Sequence, residues 1–318
     1  MKKRIFLIIA LAATLIANAA NPDRMYRKLI EKYDIPAAAD TVAPGDPTAF
    51  WTAVIDYDAP YTDFLNDMAK DRGAEKEARQ ETAKLPRLYP QYDQSIVEGM
   101  QGYCDSLLTD MGIPALGRNC ALYVVDSDQA NIFTALTDNG FAICITTGLM
   151  GRKGVTRDVV MGYVADEFVH GVMQMHTQSY YAQAKKDRKE KLMGGLLVAG
   201  TIGLVATLEA IDPTPADDYY DYLDNDVDVD VNVNVAPQFP TPKFFFKYLP
   251  ELEYEADLLA YRFMEYMGKG ADYINGLKIL GSSYDALYGP DTDQPTIQER
   301  INFLEYATSH PEAGRRKK

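Results

Sequence analysis

Residues 164–176 read VADEFVHGVMQMH, and the way this stretch is folded decides the rest of the chain. Asp166 and His170 stand at i and i+4, one turn apart on a single helix face, so the two side chains can grip one metal ion. Glu167, next to the first of them, reaches a water bound to that metal and can take its proton. A Glu three residues before a His is common on amphipathic helices, so the stretch acquires meaning only from what surrounds it.

Thr156 is a plausible N-cap for a helix starting near Arg157, and no proline follows before Gly194, which predicts one long helix with the motif at its middle. Ahead of it, CALYVV (120–125), NIFTALT (131–137) and GFAICITT (140–147) have strand character, and TDNG (137–140) carries a hairpin signal. The fold expected is α+β: a mainly helical domain with a small antiparallel sheet beside the metal-site helix. Ile96, Met100, Tyr103, Leu107 and Met111 recur at helical spacing before the strands. After the motif, Leu252 to Met267 is expected to be helical with Gly268 as a stop, and GLKILGSSYDALYG and PTIQERINFLEYATSH supply two more helices. On the first of these, Glu253 offers a third ligand, and Asp257, one turn on, lies where a carboxylate would orient the first ligand from behind.

The ordered set of segments is more specific than any one of them. NIFTAL, FAICITTGLM, VADEFVHG, ELEYEAD and QPTIQERINFLE follow one another over roughly residues 95–308. In that order they resemble the HtpX and CAAX-protease type of zinc metallopeptidase, including its soluble periplasmic members. Those proteins typically show an NAFAL-like strand, a strand ending in TGLL, AHEIGH on a helix, ExxAD on a later helix and HPPTEERI near the end. The resemblance implies a gluzincin fold, in which the edge of a small sheet, here Asn131, Ile132 and Phe133, holds an extended peptide against the metal helix. It further implies zinc as cofactor, Glu167 as general base, Asp166, His170 and Glu253 as metal ligands, and Asp257, Gln294 and Arg300 as the residues behind them.

Two positions depart from the pattern. Asp166 occupies the place of the first histidine of HExxH, and Gln294 that of the histidine in the late motif, where Arg300 still matches its arginine. An Asp carboxylate can bind zinc, but it adds a negative charge, and a set of one His and two carboxylates lowers the preference for zinc and admits Mn, Ca or Mg, or no metal at all. Asp257 would then face an anion, so the two carboxylates must share a proton, bind a cation between them, or turn apart. The other histidines offer no replacement: His176 lies about 240 degrees round a continuous helix from His170 and reads as a surface or packing residue, and His310 reads as exposed tail. Two functions follow as expectations, an exported metal-dependent endopeptidase and a catalytically inactive pseudo-peptidase that binds proteins.

Composition bounds both. The start MKKRIFLIIALAATLIANA has a basic end, an apolar run and small residues at Ala17 and Ala19, as in a cleaved secretory signal over 1–19, and no cysteine follows for a lipid anchor. Export to the periplasm or beyond is therefore expected. Losing Lys2, Lys3 and Arg4 takes the formal net charge from -14 to -17, which argues against nucleic acid as a partner and leaves a protein or peptide substrate. Residues 20–89 read as a helical N-terminal extension broken by DIPAAADTVAPGDPTAF, 90–310 as the peptidase-like domain and 311–318 as a basic tail. Within the domain, the apolar, glycine-rich 192–208 reads as a packed helical arm more readily than a span, with membrane proximity as the alternative, and the Asp-rich 212–243 as an acidic low-complexity insertion. Cys104, Cys120 and Cys144 are compatible with one disulfide or with three thiols.

Overall fold

The prolines and aspartates near the start of the chain begin helices rather than interrupt them. A computed structural model describes residues 22–199, 248–288 and 294–313. It opens with α1 (Pro22–Tyr33), α2 (Pro36–Asp40), α3 (Pro47–Tyr57), α4 (Ala59–Lys70) and α5 (Arg72–Lys84). A proline lacks the N–H that a first helical turn leaves unpaired in any case, and an aspartate ahead of that turn accepts one of the others. Asp46, Asp58 and Asp71 accept from the backbone N–H of Ala49, Tyr61 and Ala74 in this way. The stretch expected to separate helices thus supplies α2 and the start of α3.

Helix α6 (Gln101–Asp110) is shorter than the apolar spacing from Ile96 predicts, because Ile96 is drawn into a bridge with Val125. The strands fall where expected: β1 (Cys120–Val125), β2 (Ile132–Leu136) and β3 (Phe141–Thr146). Their order is β1-β3-β2, with β3 antiparallel to β2 and parallel to β1, so the sheet is mixed rather than antiparallel. The cause is the link from β1, which delivers β2 to the far edge. The TDNG turn, closed by Thr137 N–H to Gly140 O, then returns β3 into the gap.

After the short α7 (Thr147–Met150), Thr156 caps α8 (Arg157–Val172) through its side chain. The single long helix expected here is two. The break falls at Gln174, left-handed at φ 54, whose Nε2 donates to Tyr61 Oη, and α9 (Met175–Ala199) starts in a new direction. The chain closes with α10 (Pro250–Tyr266), α11 (Gly270–Tyr288, kinked at Gly281) and α12 (Ile297–Ser309), the last opened by a reciprocal Thr296/Glu299 capping box. The proposed signal 1–19, residues 200–208 of the apolar arm, the insertion 212–243 and residues 314–318 of the tail lie outside the described residues. Among the described residues no helix is long and apolar enough to cross a membrane.

Helix α8 is the centre of the packing, buried without a gap from Val159 to His170. One side meets the sheet face formed by Leu122, Val124, Ile132, Ile143 and Ile145, and α10 and α11 cover the others. Gly171 lets the end of α8 press on β3, since a Cβ there would stand 2.3 Å from the Phe141 ring. The opposite sheet face carries a small cluster of Phe133, Cys144, Ala135 and Leu88. All three cysteines are free thiols.

Buried residues from Tyr26 to Tyr61 share this core, while Met68, Ala74 and Ala78 pack with Tyr181 and Ala184 of α9 in a cluster of their own. Trp51 is fully buried, stacked on Phe263 of α10 (4.5 Å between ring centroids) and edge-on to Phe168 of α8 (5.0 Å). Arg262 of α10 forks onto Asp34, with Nε to Oδ1 at 2.9 Å and Nη2 to Oδ2 at 2.6 Å. Truncating Trp51 to Ala should cost about 3–5 kcal/mol in urea unfolding, as for other large buried aromatics. A loss below about 1 kcal/mol would mean that the N-terminal helices only rest on the domain.

Candidate functional site

Three helices and one strand deliver the residues singled out by the sequence. The i, i+4 spacing of α8 puts Asp166 and His170 on one face, and the same spacing on α10 puts Glu253 and Asp257 opposite them. Arg300 enters from the first turns of α12, where the capping box fixes the helix start. Its guanidinium is 2% exposed and lies between the carboxylates. Nε donates to Asp257 Oδ2 at 2.8 Å, and Nη2 donates to both Asp257 Oδ1 at 2.8 Å and Asp166 Oδ2 at 3.0 Å. Nη1 stands 3.5 Å from Glu253 Oε2. Tyr273 of α11 completes the group by donating its hydroxyl to Asp257 Oδ1 at 2.7 Å.

Of the three ways two facing carboxylates can coexist, the chain thus uses a cation between them, and that cation is a guanidinium. An arginine is suited to this, since its planar fork meets two acceptors at once and never gives up its charge.

Glu167 turns to the sheet. Thr134 Oγ1, on β2, lies 2.8 Å from the Glu167 carbonyl and 2.7 Å from Glu167 Oε2. One hydroxyl hydrogen serves only one strong bond, so both contacts are hydrogen bonds when Glu167 is protonated and donates to the hydroxyl. Burial, reinforced by the nearby Asp166 charge, pushes Glu167 to about 8, in keeping with that geometry. Burial also pushes Glu253 to about 8. Asp257 reaches only about 6, because Arg300 works against its burial. His170 is held well below its ordinary value by burial and then by Arg300, so it is neutral. Its Nε2 lies 3.8 Å from Glu253 Oε2, too far for a hydrogen bond, and its Nδ1 has no hydrogen-bond partner among the described residues.

Two donors of a tetrahedral zinc, each ~2.0–2.1 Å from it, sit roughly 3.3 Å apart, so His170 and Glu253 are near that spacing. Of the third expected ligand, Asp166, Oδ2 is bonded to Arg300, while Oδ1 is buried without a hydrogen-bond partner among the described residues. Among the described residues no three His, Cys, Asp or Glu side chains are arranged to hold a metal ion. The guanidinium near Glu253 adds a fixed positive charge where a second cation would sit. As the side chains stand, Asp166, His170 and Glu253 do not form a converged three-ligand set.

Gln294 is not in this cluster; its Nε2 donates to the backbone carbonyl of Tyr248. Strand β2 is an edge strand, as a peptide-holding role requires, but Asn131 and Phe133 belong to the sheet face away from α8, and only Ile132 and Thr134 face it. Asn131 precedes the strand and is fully buried. His176 is buried as well, its Nε2 3.2 Å from Tyr248 Oη, and His310 stacks on Tyr306 at the end of α12. Thr134, Tyr248 and Tyr273 escaped the sequence reading. A lone hydroxyl inside the apolar NIFTAL marked the first; nothing local marked two among 22 tyrosines.

Neither a scan against protein-family models nor a search of the curated proteins finds a match for this chain.

The protons on Glu167 and Glu253 have a measurable consequence. The folded state keeps both up to about 8, while the ordinary value of each is 4.5. A proton bound more tightly by the folded state adds stability at low pH that is lost as pH rises through the folded value. His170 and His176, both lowered from 6.5, oppose this only below that pH. In a chelator, unfolding free energy should therefore fall from about pH 6.5 to about pH 8.5, and Glu167→Gln should flatten the slope. A wild-type curve that is flat or rising across this window would contradict a protonated Glu167.

Proposed function

We propose that this chain is an exported, gluzincin-type peptidase scaffold of the HtpX and CAAX-protease kind that binds protein segments without hydrolysing them. The observation that carries the proposal is the bond from Arg300 Nη2 to Asp166 Oδ2, which engages one oxygen of the carboxylate that would have to replace the first histidine; Oδ1 is buried without a hydrogen-bond partner among the described residues. Without three converging donors a metal would not be held to polarise a water for Glu167, and Glu167 itself is bonded to Thr134. What the scaffold keeps is the edge strand. Along β2, Asn131 O accepts from Thr146 and Leu136 O from Leu88 on the other side. Alternation then turns the main-chain groups of Ile132 and Thr134 away from β3, toward a guest strand. Both residues are buried, so a guest needs that edge to open.

Metal-dependent hydrolysis is the second reading, favoured by the near-ligand spacing of His170 and Glu253 and by the presence of Glu167. In it a metal would be held by these two with Asp166, through the Oδ1 that has no hydrogen-bond partner among the described residues, and would supply the acidity of the attacking water.

Metal analysis of the purified mature protein, with casein cleavage measured in parallel, separates the two. The binding reading predicts substoichiometric zinc and no cleavage for wild type, and tighter zinc for Asp166→His combined with Gln294→His. Stoichiometric metal in wild type, with cleavage abolished by Glu167→Gln and by a chelator, would overturn it.

A further inference from the structure

We infer that Tyr248 is a latch over His170, a residue of the chain itself that closes the imidazole off and has to swing aside before His170 can meet a metal ion or a bound peptide. The Tyr248 ring lies nearly parallel to the imidazole, with centroids 4.1 Å apart and planes 14° apart, so it covers one face of the ring. Its nitrogens do not hold it in place: Nδ1 has no hydrogen-bond partner among the described residues, and Nε2 is 3.8 Å from Glu253. A histidine built to hold a metal normally has its second nitrogen fixed by a carbonyl or carboxylate. Here a stacked phenol does that work.

The latch is fastened from outside the carboxylate cluster. Tyr248 Oη meets His176 Nε2 at 3.2 Å, and the N–H of Leu249 donates to Ser179 Oγ at 3.3 Å, both on α9. From the other side, Gln294 Nε2 donates to the Tyr248 carbonyl. Two features that seemed unrelated to the site thereby acquire a role in it. The break at Gln174 redirects α9 so that His176 reaches Tyr248, and the amide at position 294 grips the backbone of the residue that covers His170. Access to His170 is governed this way whether the groove hydrolyses peptides or only holds them.

The chain has three histidines, which makes the test direct. Diethyl pyrocarbonate, mapped by mass spectrometry on metal-free protein, should modify half-buried His310 faster than buried His170 in wild type. Tyr248→Ala should raise the modification rate of His170 by about tenfold, in line with the loss of one aromatic stack, and Tyr248→Phe, which keeps the ring, should leave it protected. Gln294→Ala removes only the outer fastening and should raise the rate about threefold with an unchanged circular dichroism spectrum. The inference is overturned if His170 in folded Tyr248→Ala reacts no faster than in wild type. If Tyr248→Ala fails to fold, an unchanged rate in Gln294→Ala overturns it equally.

Discussion

The guanidinium of Arg300 between Asp166 and Asp257 is the contact on which the rest of the site depends. Both carboxylates are buried on helices that face each other, and without a cation between them α8 and α10 would force two anions together in a dry interior. Arg300 resolves this with one bidentate and one single bond, and in doing so it ties α12 to both helices. The capping box at Thr296, the kinked α11 with Tyr273 and the closure of α12 over the core all place that one side chain. Buried ion pairs are a weak source of net stability, but removing one partner of such a group is costly, so the arrangement is better understood as fixing a geometry than as adding strength.

That geometry sets the chemistry. Four carboxyl groups face one arginine and one neutral histidine; protons on Glu167 and Glu253 reduce the negative charge to that of Asp166 and Asp257, and Arg300 offsets one of these two. Charge offset by protons and a guanidinium differs in kind from charge offset by a divalent ion: it is internal to the chain, and Glu167 is protonated and bonded to a strand. Tyr248 stacked on His170 extends the same theme, since the one nitrogen ligand is covered by the chain's own ring.

Much of the fold was legible because periodicity and turn chemistry act locally. The three strands, the TDNG hairpin, the Thr156 cap and the Gly268 stop all fall where residue type alone put them. What was not legible depended on contacts distant in sequence. A parallel β1-β3 pair follows from where β2 is delivered, the break at Gln174 is held by Tyr61 more than a hundred residues away, and Trp51 joins the core only because Phe168 and Phe263 are there to receive it. The site behaved likewise. The face-to-face arrangement of Asp166 and Asp257 could be anticipated from two i, i+4 spacings, but which cation would stand between them could not, because Arg300 comes from a third helix. The late motif marked Gln294, but its bond to Tyr248, and Tyr248 itself, had no local signal.

The most direct test of this account is the coupling free energy between Asp166 and Arg300, from a double-mutant cycle of Asp166→Ala and Arg300→Met in urea unfolding, run once in a chelator and once in zinc. If the guanidinium stands in for a metal, the coupling should be about 2 kcal/mol or more and the same in both conditions, with wild-type stability indifferent to zinc. A coupling below about 0.5 kcal/mol in the chelator, together with a wild type that zinc stabilises, would contradict it.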